Sequence, residues 1–89
     1  MAVKKKQQTG IPVTPDQSRM ARGALHIGIR ELAALASLST NTVIRFEGGG
    51  PVQPATLKKI RKALERAGVK FISENGGGVG VRLKKRQKR

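Results

Sequence analysis

Thr40, Asn41, Ile44 and Arg45 lie within the segment Leu38 to Gly49, LSTNTVIRFEGG, at i, i+1, i+4 and i+5. On a helical period they point one way, while Val43 and Phe46, with Leu38 just ahead, point the other. The four outward types can do the chemistry of base recognition. An asparagine amide can pair twice with adenine N6 and N7, and an arginine fork twice with guanine O6 and N7. The methyl groups of Ile or Thr can pack on the thymine methyl. By itself the same pattern also describes an ordinary solvated helix face, so the flanking elements and the charge of the chain must decide.

The charge favours a polyanion. The 89 residues include 19 Lys and Arg against 5 Asp and Glu, a formal +14. Such an excess does not set a fold, but it biases partners toward nucleic acid first, then an anionic membrane surface or an acidic protein. With two Phe and no Trp or Tyr, the chain lacks the aromatic platforms that single-strand binding uses. Catalysis is not expected. There is one His and no Cys, no nucleophile lies at a plausible spacing from a base, and a chain this short has little room for a buried cleft. No metal and no cofactor is expected, since His26 has no partner at ligand spacing. Gly76 to Gly80, GGGVG, lacks the lysine and hydroxyl ending of a phosphate loop and reads as a hairpin turn. No apolar run of membrane-spanning length occurs, and the start MAVKKKQQTG has no apolar stretch behind its lysines. The expected location is the cytoplasm, with no membrane partner.

Four helices and a hairpin are expected to position the outward residues. Residues 1–13 are basic and poor in apolar content, and are expected to form a flexible arm. TPDQ, Thr14 to Gln17, has the form of a capping box with Pro at the first helical position. The first helix starts there, with Met20, Ala21, Ala24 and Leu25 as its expected inner face, and it ends at His26. The second, IRELAALAS, repeats Leu32, Ala33 and Ala36, and its alanines admit a close neighbour. Ser39 is a good N-cap for a third helix, Thr40 to about Glu47, which the glycines 48–50 stop. The fourth runs from Pro54 to about Ala67 with the stripe Leu57, Ile60, Leu64 and Ala67, a basic flank of Lys58, Lys59, Arg61 and Lys62, and Gly68 as its C-terminal cap. VKFIS and VGVRL then alternate as strands around a glycine-rich turn. A lone hairpin is marginal in water, so it must pack on the fourth helix or pair with a second copy. Residues 84–89 form a basic tail.

Two short helices joined by a few residues, the first rich in alanine, describe a helix-turn-helix, whose second helix enters the DNA major groove. The stretch IRELAALASLSTNTVIRFEGG resembles the Cro/repressor-type (XRE) helix-turn-helix family. The resemblance covers roughly Thr14 to Ala67 and rests on ELA at Glu31 to Ala33, LSTNTV at Leu38 to Val43 and RFEGG at Arg45 to Gly49. The ending GVKFISENGGGVGVRL is similar to that of small bacterial members. The resemblance implies a mainly α, four-helix Cro/repressor-like domain (residues 14–67), followed by a C-terminal β-hairpin (residues 68–83). It makes Thr40, Asn41 and Arg45 the base-reading positions, with Ile44 beside them. It also makes Ser39 a phosphate contact at the helix N-terminus, and Arg22 and Glu47 a bracing ion pair between the first and third helices. Thr42, Arg30 beside Ile29, and Lys58 on the basic flank of the fourth helix are the other expected phosphate contacts, the alternative for that flank being an ordinary solvated face. At the start of the second helix, where the family usually has Gln, this chain has Ile29. Where the family has Gly at the end of the first helix, it has His26, which enters the left-handed region less easily.

The expected function is that of a sequence-specific double-stranded DNA-binding transcriptional regulator, a repressor acting as a homodimer on a pseudo-palindromic operator. Its two recognition helices would sit about 34 Å apart. Phe71, Val79, Val81 and Leu83 of the hairpin are the expected dimerisation residues, with the fourth helix as the other surface. The alternative is an antitoxin-type protein-interaction module whose DNA binding is autoregulatory. A non-specific nucleoid or RNA binder fits the charge but leaves the motif unexplained.

Overall fold

A computed structural model describes residues 12–74 and 76–84; of the expected arm (1–13) and tail (84–89), residues 1–11 and 85–89 lie outside the described residues. Val13 does not belong to an unpacked arm: it is 2% exposed and part of the core, because one apolar side chain ahead of the Thr14 cap finds a place there. Lys84 likewise extends the hairpin, its amide donating to the Gly68 carbonyl at 2.8 Å. Four helices precede a two-stranded antiparallel hairpin: α1 Pro15–Leu25, α2 Ile29–Ala36, α3 Thr40–Glu47, α4 Pro54–Ala67, β1 Val69–Ile72 and β2 Gly80–Leu83. Among the described residues no helix is long and apolar enough to cross a membrane.

The local signals act where they stand in the chain. Thr14 Oγ1 accepts from the Gln17 amide at 3.0 Å while Gln17 Oε1 accepts from the Thr14 amide at 3.1 Å, closing both halves of the capping box. Ser39 Oγ accepts from the Thr42 amide at 3.1 Å and starts α3. Gly68, at φ 118°, ends α4 in a conformation that side chains resist. His26 and Ser37 end α1 and α2 at φ 60° and 59°, in the left-handed region, without being glycine. Glu31 supports the start of α2 by accepting from the Gly28 amide at 2.6 Å.

Leu32, Val43, Ile60, Leu64 and Val69 are fully buried at the centre of the core, with Ala21, Ala33, Ala36, Ala63 and Phe46 around them. The alanines of α2 do admit close neighbours, since α2 packs on both α3 and α4. Two expected inner positions lie elsewhere. Met20 is 39% exposed, because α1 turns Gln17, Ser18 and Ala21 inward instead. The two polar residues tolerate burial because each finds hydrogen-bond partners. On α4, Ala67 is exposed and Ala63 takes the inner place.

The hairpin pairs Val69 with Leu83, Lys70 with Arg82, Phe71 with Val81 and Ile72 with Gly80. It packs on α4, as the sequence requires of an otherwise marginal hairpin, and also on α1. Gln17 makes the second attachment: its Nε2 donates to the Ile72 carbonyl at 3.0 Å and to the Gly80 carbonyl at 2.9 Å. At the tip, the Glu74 carboxylate accepts from the amides of Gly76 and Gly78, both at positive φ.

Candidate nucleic-acid interface

α3 has a fixed side and a free side. Val43, Phe46 and Glu47 are buried, whereas Asn41, Ile44 and Arg45 are exposed, Ile44 at 50%. Thr40 and Thr42 are half-buried. The period of the sequence thus distributes the eight residues as expected, with Thr40 less open than its neighbours.

The fixed side is held at its C-terminal end by a polar cluster on α1. The Glu47 carboxylate accepts from Arg22 Nη2 at 2.6 Å, from Arg22 Nε at 2.9 Å and from Ser18 Oγ at 2.6 Å. This is the two-pronged geometry in which an arginine–carboxylate pair is strongest. Arg19 also donates to the Glu47 backbone carbonyl, and its other guanidinium nitrogen pairs with Asp16. Burial works against the charge of Glu47. The hydrogen bonds from Arg22 and Ser18, together with the positive charges of Arg22 and Arg19, outweigh it and hold the carboxyl below its ordinary value. The hydrogen bond from Arg22 to Glu47 likewise raises the guanidinium pKa, against a smaller opposing effect of burial.

The N-terminal end of α3 is open to solvent. Ser39 is exposed, its Oγ lies 2.8 Å from Thr42 Oγ1, and the amides of Thr40 and Asn41 have no hydrogen-bond partner among the described residues. Free amides and the helix dipole at such an end favour an anion. Arg45, one turn on, is placed by its neighbour Gly50. The Gly50 amide donates to the Arg45 carbonyl at 2.9 Å, and a Cβ at Gly50 would lie 2.8 Å from Arg45 Cγ. Thr42 and Arg45 then face Pro51, Val52, Gln53, Pro54 and Thr56 across a shallow open groove that ends at the N-terminus of α4.

Arg30 and Lys58 are exposed on α2 and α4. Ile29, the first residue of α2, is half-buried and packed on the core. All five carboxylates of the chain are already engaged: Asp16 with Arg19, Glu47 with Arg22, Glu65 with Arg61, Glu31 with the Gly28 amide and Glu74 with the tip of the hairpin. Arg30, Arg45 and Lys58 therefore have no acidic partner among the described residues, and their charge is available to an external anion.

The expected dimerisation residues divide. Phe71 and Val81 pack against the chain's own core, and Arg61 lies 5.2 Å from the Phe71 ring centre. Val79 precedes β2 rather than belonging to it, and is half-buried. Leu83 is 51% exposed.

Three residues of this region carry no individual signal in the sequence. Gln17 reads fully as a helix cap, Ser18 as a neutral helix residue and Gly50 as part of a glycine stop. Their partners lie 29 or more positions away for Ser18 and Gln17, which no local pattern encodes. For Gly50 the close approach to Arg45 needs the turn itself. Neither the known protein families nor the curated proteins include a match to this chain.

Proposed function

We propose that the chain is a sequence-specific double-stranded DNA-binding regulator of transcription, a repressor of the Cro/repressor type. In this reading α2 and α3 form the helix-turn-helix, and α3 is the recognition helix. Asn41 and Arg45 read base edges with Ile44 packed beside them, and Thr40 meets the groove at the helix start. Ser39, Thr42, Arg30 and Lys58 hold phosphates, which fix register without reading sequence. The observation that carries the reading is the two-sidedness of α3. Its inner face is locked to α1 by the buried Glu47 cluster, while Asn41, Ile44 and Arg45 stand exposed on the other face.

A single unit this small reads few base pairs, so the regulator acts as a homodimer on a pseudo-palindrome. Leu83 is the exposed apolar residue of the hairpin and the centre of the proposed dimer surface. The test is selection from a random duplex library at ~0.15 M salt. Enrichment of an inverted repeat, with half-sites about one helical turn apart, is expected. Tight binding without any enriched sequence would remove base reading and leave the charge as the function.

A further inference from the structure

Lys70 and Arg82 lie directly opposite each other across the hairpin. The Lys84 amide donates to the Gly68 carbonyl at 2.8 Å, one bond of a hydrogen-bonded pair just beyond the strands. Alternation along the ladder then makes Lys70 and Arg82 a hydrogen-bonded pair too, with Cα atoms about 5.5 Å apart. Their side chains leave the face opposite Val69, Phe71 and Val81, which turn to the core, and both are exposed. Two like charges in this position destabilise a strand pair. Among the described residues no acid pairs with either. Glu65 lines the same cleft as Lys70 but is held by Arg61 at 2.9 Å, and Glu74 is occupied by the hairpin tip. Lys62 and Arg66 of α4 are exposed as well. Lys84 is tied to the same end of α4 by its Nζ, which donates to the Glu65 carbonyl at 3.0 Å.

The geometry points to a second phosphate-binding site on the outer face of the hairpin, in which Lys70 and Arg82 clamp the sugar–phosphate backbone of a nucleic-acid duplex. The hairpin packs on α1 and α4, whereas α3 packs on α1 and α2. The clamp is thus built on different contacts from the α3 interface and contributes affinity without sequence preference. It rests on nucleic acid being the partner, but not on base reading by α3.

The full chain carrying Lys70→Thr and Arg82→Thr keeps strand-favouring residues while removing the charge. Its binding to a random-sequence duplex, followed against salt, is expected to show a log–log slope smaller by roughly two, from about 0.9 per phosphate contact. Its sequence preference in the library selection is expected to match the parent, and its melting temperature without DNA to equal or exceed it. The swap Lys70→Arg with Arg82→Lys should restore the slope. An unchanged slope in the threonine variant overturns the clamp, as does loss of sequence preference, which would make the hairpin a support for α3. Loss of binding to phosphatidylserine vesicles with the duplex slope intact also overturns it, in favour of a membrane surface. If the parent chain binds no duplex at all, the DNA-binding reading fails first. If it binds and selects a sequence with the slope unmoved, the clamp alone fails.

Discussion

The end of α3 and the hairpin are both fastened to α1, but by unlike means. Glu47 is met by Arg22 and Ser18 side chains, and Arg19 takes its backbone carbonyl, so three side chains of α1 converge on one buried residue. The hairpin is fastened to α1 by one amide, that of Gln17, together with the apolar contacts of its inner face. The first arrangement fixes an orientation, because a two-pronged ion pair tolerates little rotation. The second fixes a register, because Nε2 meets carbonyls of both strands at the paired residues Ile72 and Gly80. A surface that must present side chains to a rigid partner needs the former. A ribbon that contacts a backbone needs only the latter.

The largest effect should come from breaking the first fastening. Glu47→Ala leaves Arg22, 19% exposed, without its partner. Loss of one member of a buried pair costs about 3–5 kcal/mol, and the lower part of that range is expected because Arg22 keeps some water. Chemical denaturation measures it, and a loss below about 1 kcal/mol would mean the pair does not brace α3. The same pair sets an acid limit. Since the folded Glu47 carboxyl lies below its ordinary value, its contribution is complete above the unfolded carboxylate pKa of about 4.3 and is lost as pH falls through the lower folded value. Glu47→Gln should flatten that part of the stability profile.

Gln17→Ala tests the second fastening. It removes the side-chain half of the capping box and both donations to the hairpin, while Thr14 Oγ1 still accepts from the residue 17 amide, and about 1–3 kcal/mol is expected for the lost bonds together. Amide exchange separates them. The hairpin amides of Ile72 and Gly80 should lose protection more than those of α3, and uniform loss would show that the two regions unfold as one.

The contrast also explains what could be read from the chain beforehand. Thr14 with Gln17, Ser39, and Gly68 act on neighbours within a few residues, so the elements and their ends follow from local chemistry. The exposed face of α3 follows from period alone. The inward turn of Gln17 and Ser18, and the outward turn of Met20, do not. Polar residues enter a core when a distant partner awaits them, and that partner is fixed by the packing of whole elements. Arg22 with Glu47 is a pair that periodicity permits but only the resemblance to a family singled out.

A third test bears on function rather than stability. Arg45→Ala should leave folding within about 0.5 kcal/mol, since the side chain is exposed. It should reduce affinity for the selected operator by ~1–3 kcal/mol at one base pair. An equal loss on every sequence would assign Arg45 to phosphates, and the reading face of α3 would have to be turned. Gly50→Ala, which crowds the Arg45 stem, should mimic part of the effect without removing the guanidinium.

The smallest effect lies at the turn between α1 and α2, and its sign is what matters. His26 is exposed and sits at φ 60°, ψ 42°, where an L side chain is disfavoured by roughly 1–2 kcal/mol. Its backbone amide bonds the end of α1, and the Ile27 amide bonds the Arg22 carbonyl at 3.0 Å, so the conformation is held by the helix end and not by the imidazole. His26→Gly relieves the strain but gives the unfolded chain more freedom, and the two oppose each other. A net gain below about 1 kcal/mol is expected, read as a small rise in melting temperature. A loss would mean that the added freedom of the unfolded chain outweighs the strain relieved at φ 60°. A gain would show that the helix-end bonds hold the α1–α2 corner against its own backbone preference.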